Sequence, residues 1–177
     1  MNYKLLPGAL AAAWGLGGVL TLLLFAVTRM ARTSFDALDM PLHAVHWLVL
    51  AANIVFMAYA EGYRGFQQSF SPRVVARARY LVNHWTVWRL IAAPLFCMGF
   101  FHATRRRLIT AWVLTAAIVL MVFLFAQLPQ PWRGVLDAGI VVGLGWGIIS
   151  IGLYIGRWLS GRQFDASPEV PVVVRAA

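Results

Sequence analysis

The sequence predicts an all-α integral membrane protein, a small bundle of five apolar helical segments. Of its 177 residues 61% are apolar and 12% charged, against about 45–50% and about 25% in soluble domains. Several apolar runs reach the ~20 residues that cross a hydrocarbon core of about 30 Å. A chain of this length makes one domain, residues 1–164 here, and no soluble domain of that size could bury every run.

The first span is expected over residues 7–28. Ala9, Ala13 and Gly17 repeat at four-residue spacing, with Ala11 and Gly15 beside them, and small residues let helix backbones approach closely. A single Lys4 precedes the run, Arg29 follows it, and no small-x-small cleavage site intervenes, so it reads as a retained span and not a signal peptide. Thr33, Ser34, Asp36 and Asp39 form a loop. Pro41 then opens the second span, where a missing backbone donor costs nothing.

The second span, residues 42–60, carries a polar stripe. At a helical step of about 100°, His43, His46, Asn53, Glu61 and Arg64 fall within an arc of about 80°. Leu50 and Met57 are the apolar members of that arc. Val45, Leu48, Val49, Ala52, Phe56 and Tyr59 cover the other side. Such a stripe must face a bundle interior or a wet cavity.

Gly62 and Gly65 come next, then Ser71 and Pro72, a helix start with serine as N-cap and proline in the first turn. Residues 72–85 are amphipathic. Val74, Val75, Ala78, Leu81, Val82 and Trp85 share one face, and Arg73, Arg77, Tyr80 and His84 the other. Two placements fit: a helix lying on the membrane surface, or the hydrated base of a longer helix. The third apolar segment, residues 90–103, comes after Arg89 and is interrupted by Pro94 and Gly99. Segments that short are more often re-entrant or interfacial than spanning.

Residues 108–128 make a clean span, and residues 134–158 a glycine-rich one. Gly139, Gly143 and Gly147, with Gly152 and Gly156 beyond, form a packing ridge whose first-choice partner is the face around Ala13 and Gly17. The stretch 165–177, with Pro168 and Pro171, reads as a disordered tail.

The net charge of +9 does not indicate nucleic acid, because the basic residues flank apolar segments as cytoplasmic loops do. If residues 90–103 do not cross, Lys4, the eight arginines from Arg64 to Arg107, Arg157, Arg162 and Arg175 lie on one side. Only Arg29, Arg32 and Arg133 lie on the other, a split of twelve to three. A crossing segment reduces the split to eight against seven. The count therefore favours four spans plus a short, tilted or re-entrant segment. It also favours a bacterial-type inner membrane with anionic headgroups against the basic side.

Residues able to carry chemistry are few. His43 and His46 have the spacing to share a metal. His46 could meet His102 at a haem only if residues 90–103 cross, since His84 and His102 sit at opposite ends of any common helix. Cys97 is the lone cysteine, so neither an intrachain disulfide nor a c-type haem attachment is available. Asn53 reads as interhelical glue or as a lining residue. Glu61 with Arg64, and Arg133 with Asp137, are candidate ion pairs. No phosphate-cradling glycine loop, His-Glu-x-x-His pair or nucleophile elbow is present, Ser150 has no base in its segment, and no cofactor is expected. Trp47, Trp85, Trp88, Trp112, Trp132 and Trp158 lie near segment ends, as interfacial aromatics do.

The leading expectation is a non-enzymatic structural or assembly subunit that packs on a membrane partner or on itself. A small transporter or channel lined by the stripe is the first alternative. A haem- or metal-binding protein or membrane enzyme is the second.

Overall fold

A computed structural model describes residues 6–162 and 166–171. Among these every regular element is helical, and four helices are long and apolar enough to cross a membrane. The first, α1 (Leu6–Leu38), has 33 residues, about 50 Å at 1.5 Å per residue. His43 caps the next helix, its backbone N–H donating to Nδ1 of His46 at 3.0 Å.

From that cap a single helix of 40 residues, Ala44–Asn83, runs on. It comprises α2 (Ala44–Met57), a π-helical segment (Ala58–Phe70) and α3 (Ser71–Asn83). It is antiparallel to α1, so that Gly8 meets the backbone of Val82 at the far end. The amphipathic stretch is thus the continuation of the second long helix. Within it Val74, Val75, Ala78 and Leu81 are buried as the pattern predicts, and so is Arg77 from the polar face.

The third apolar segment is no single helix. The chain turns after Asn83 into α4 (Val87–Ile91) and α5 (Ala93–Met98). Thr86 caps α4, and Pro94 starts α5 where its missing N–H is harmless. Both lie against the N-terminal half of α1. Trp14 Nε1 donates to Ile91 O at 3.3 Å, Gly15 faces Cys97 and Ala93, and Gly18 faces Pro94. α5 stops at Gly99, whose φ of +90° suits a residue without a side chain. The chain then leaves through α6 (Arg105–Ala126) at the end where α3 finished. That end, holding Leu6, Asn83, Arg105 and Leu159, is the basic end; the opposite one is the histidine end.

α7 (Trp132–Leu159) runs parallel to α2 and antiparallel to α1, and of the four long helices it buries the largest share of its apolar stretch. Gln130 fastens its start, with Nε2 donating to Thr33 O at 3.2 Å and Oε1 accepting from Gly134 N at 3.1 Å. α6 is peripheral, with Ala111 its one buried residue among those described. The core gathers towards the basic end around Leu16, Val19, Val75, Leu81, Phe96 and Ile151.

Two packing expectations are corrected. Ala9, Ala13 and Gly17 face outward, and a side chain at Gly17 would meet nothing within 4 Å. α1 uses Gly8, Ala12 and Gly15 instead, because α3 and α5 press on that side. The glycine ridge of α7 accordingly packs on α2 and the π segment, not on Ala13 and Gly17. Of the stretch expected to be disordered, residues 166–171 form an irregular strap against α3 and α6, and the rest lies outside the described residues.

Candidate functional site

The polar stripe lands on the glycine ridge, one notch per residue. Asn53 fills the space beside Gly139, Glu61 that beside Gly143, and Phe66 that beside Gly147, while Gly62 of the π segment receives Trp146 in return. A helical side chain leans towards the helix N-terminus over the preceding turn. With no side chain at Gly139, the carbonyls beneath it stay open. Asn53 Nδ2 donates to two of them, Val135 O and Leu136 O, each at 3.0 Å.

The π segment changes which residues join the stripe. Its i→i+5 bonding gives a smaller angular step than an α-helix. After Glu61 and Gly62 the next residues facing α7 are Phe66 and Gln67, and Gln67 Oε1 accepts from Trp146 Nε1 at 2.7 Å. Arg64, on the stripe at a regular helical step, turns out to solvent and forms no ion pair with Glu61. Glu61 Oε2 is buried without a hydrogen-bond partner.

The histidines divide between the ends. His46 is buried with its ring edge against Trp132 at 4.6 Å, and His43 is exposed beside it. His102 lies at the basic end with φ +46°, its carbonyl accepting from Arg77. The bundle's length separates His46 from His102, so they cannot share a haem or a metal. Among the described residues no three His, Cys, Asp or Glu side chains group as metal ligands. Arg133 and Asp137 do approach, at 3.9 Å, with Asp137 buried. They line a small cavity with Arg29 where the ends of α1, α6 and α7 meet.

The densest polar arrangement lies at the basic end and centres on Arg77, which is 3% exposed. Its Nε donates to Phe96 O, Nη1 to Pro168 O at 2.7 Å, and Nη2 to Phe101 O at 2.8 Å and His102 O at 3.2 Å. The guanidinium also stacks on the Phe96 ring, 4.1 Å from its centre. A planar fork of five N–H donors suits such a cage of carbonyls, which is how an arginine tolerates burial without a carboxylate. One side chain thereby ties α3 to the end of α5, to the turn before α6 and to the strap.

Around Arg77 the charges are unbalanced. Glu169 of the strap lies 3.8 Å from Arg73 Nη1 and 3.8 Å from Arg107 Nε. Its carbonyl accepts from Thr104 N at 3.1 Å. Arg89 donates to His84 O at 2.8 Å. Arg73 Nε and Arg89 Nε are buried and have no acceptor. Beside the strap a cavity of about 270 Å³ is lined by Arg79, Tyr80, Asn83, His84 and Pro168.

Sequence reasoning missed this centre because it assigned Arg77 to a solvated face. Comparison with family models, curated proteins and solved structures finds no match to this chain.

Proposed function

We propose that the chain is a four-span integral membrane bundle acting as a non-enzymatic structural or assembly subunit of a membrane complex. The observation that carries this reading is how the polar stripe is used. Asn53 is bonded to α7 carbonyls, and Asn53, Glu61 and Phe66 occupy glycine notches, which supports a packing role for the stripe. α6 meanwhile holds Trp112, Val113, Leu120 and Phe123 outward, a wall that lipid or a second membrane protein would cover. The reading extends to a bacterial-type inner membrane with the basic end in the cytoplasm. There Arg73, Arg79 and Arg105 to Arg107 meet anionic headgroups, and α4 with α5 forms a re-entrant element.

The test is purification in mild detergent together with a photo-crosslinking residue at Phe123 or at Ile151. A subunit should emerge in a complex of fixed stoichiometry and give a discrete protein adduct from Phe123 and none from buried Ile151. A lone monomer in every mild detergent, with no protein adduct from Phe123, overturns the reading.

One observation favours a second reading, a small ion or proton transporter. Glu61 carries a buried carboxyl oxygen without a partner beside Gly143, and an acid at that depth is a functional candidate. Ion flux in proteoliposomes that Glu61→Gln abolishes, with thermal stability unchanged, would favour transport. Absence of flux, or flux indifferent to the substitution, ends it.

A further inference from the structure

Glu169 stands between two guanidinium groups that it only partly serves. Its contacts to Arg73 and Arg107 are each 3.8 Å, well beyond the ~2.7–2.9 Å of a good charge-assisted hydrogen bond. Arg73 Nε is buried with no acceptor. The strap backbone is held at φ +49° at Glu169, and φ is +46° at His102, which shares the Arg77 cage. Residues with side chains rarely adopt that region. One carboxylate on a constrained backbone thus occupies a place with more donors and more positive charge than it can use. Arg73 from α3 and Arg107 from α6 each reach a different Glu169 oxygen, so two guanidinium groups from different helices converge on one oxyanion.

We propose that Arg73 and Arg107 form a binding site for a phosphate group, with Glu169 as its built-in competitor. A phosphate monoester or diester brings more oxygens than the carboxylate does and suits planar forks approaching from both sides. Displacing the strap would also free Arg77 Nη1 from Pro168 O, adding a third guanidinium donor at the moment the ligand arrives, while Arg77 keeps its bonds to Phe96, Phe101 and His102. The phosphate could belong to an acidic phospholipid headgroup or to a free phosphate. Only the lipid source rests on the reading that the basic end lies at a membrane surface.

The experiment uses the full chain in neutral detergent, as parent, Glu169→Gln and the double variant Arg73→Gln/Arg107→Gln. Each is titrated with phosphatidylglycerol, phosphatidylcholine and inorganic phosphate and read by retained lipid in native mass spectrometry and by thermal shift. Relieving the competitor should tighten phosphatidylglycerol binding about tenfold, and the double variant should weaken it by at least as much. Phosphatidylcholine, whose choline offsets its phosphate, should not distinguish the three. Competition by inorganic phosphate identifies a free phosphate as sufficient; binding that tracks the variants without such competition identifies the headgroup. Glu169→Gln is nearly isosteric and keeps the fold even if the double variant does not. Phosphatidylglycerol binding no tighter in Glu169→Gln than in the parent overturns the proposal, as does undiminished binding by a folded double variant. Resistance of the parent to alkaline extraction from membranes tests the membrane reading separately and is indifferent to either result.

Discussion

Single atoms decide the packing of α7. Asn53 reaches Val135 O and Leu136 O because Gly139 leaves them uncovered. Replacing Asn53 by leucine should cost about 1 kcal/mol of interhelical bonding. The expected result is a small fall in melting temperature and in abundance, with the cellular phenotype retained; a normal-abundance protein without the phenotype would instead assign Asn53 a role in conduction. Gly143→Leu is harsher, because the new side chain meets the Glu61 carboxyl. Overpacking of that kind costs about 1–3 kcal/mol, measurable by thermal denaturation in detergent. On α1 the contrast is sharper still. Gly15→Leu would drive into Cys97 and Ala93, whereas Gly17→Leu points into open space. The first should destabilise and the second should melt with the parent, although both glycines sit in the same small-residue run. Equal effects would mean that α5 does not press on α1.

Among elements, the π segment is the one that hydropathy could not reveal. Hydrophobic periodicity presumes one angular step along a helix, and a stretch bonded i→i+5 breaks that presumption locally. The stripe is therefore read correctly through Asn53 and Glu61 and wrongly at Arg64, two residues short of the true contact at Phe66. Cysteine scanning can check this. In a Cys97→Ser background, Arg64→Cys should react with a water-soluble maleimide and Phe66→Cys should be protected by Gly147. The reverse pattern would indicate a regular α-helix through Glu61. α3 makes a second point at this scale. Its fastening to α5 and to the turn before α6 depends on Arg77, so Arg77→Met leaves several buried carbonyls without donors, at about 1–3 kcal/mol for each one that water cannot reach. Faster proteolysis between Gly99 and Thr104, relative to the turn at Leu128 and Pro129, is the expected signature.

At the scale of the whole molecule the path of the chain is set by α4 and α5. Because they enter beside Asn83 and leave beside Arg105, cysteines replacing Arg79 and Arg106 should be labelled from the same side of a sealed vesicle. Labelling from opposite sides would require a fifth crossing. The helical class, with four helices long and apolar enough to cross a membrane, was legible because apolar run length is a property of local sequence, and the break of residues 90–103 was legible in Pro94 and Gly99. The partners of the small-residue faces were not. Ala9, Ala13 and Gly17 have the same spacing as Gly139, Gly143 and Gly147, and only the placement of α2 and α5 decides which set is covered. The centre at Arg77 was illegible for a related reason. Its acceptors are backbone carbonyls, which every residue has, so no side-chain pattern announces them. The strap was hidden by its composition, since prolines and a lone acid read as solvent-exposed until an arginine cage stands opposite.

The cage at Arg77 also sets an order of events during biosynthesis. Phe96, Phe101 and His102 emerge from the ribosome within 25 residues of Arg77, but Pro168 comes 91 residues after it. At about 5–20 residues per second, that acceptor arrives on the order of 5–20 s after the donor. Through that interval three of the four acceptors of Arg77 have been made and Pro168 O has not. The strap thus supplies the last-made of the four acceptors of Arg77. A nascent chain halted before Pro168 would hold the three nearer acceptors of Arg77 and leave its Nη1 without the fourth.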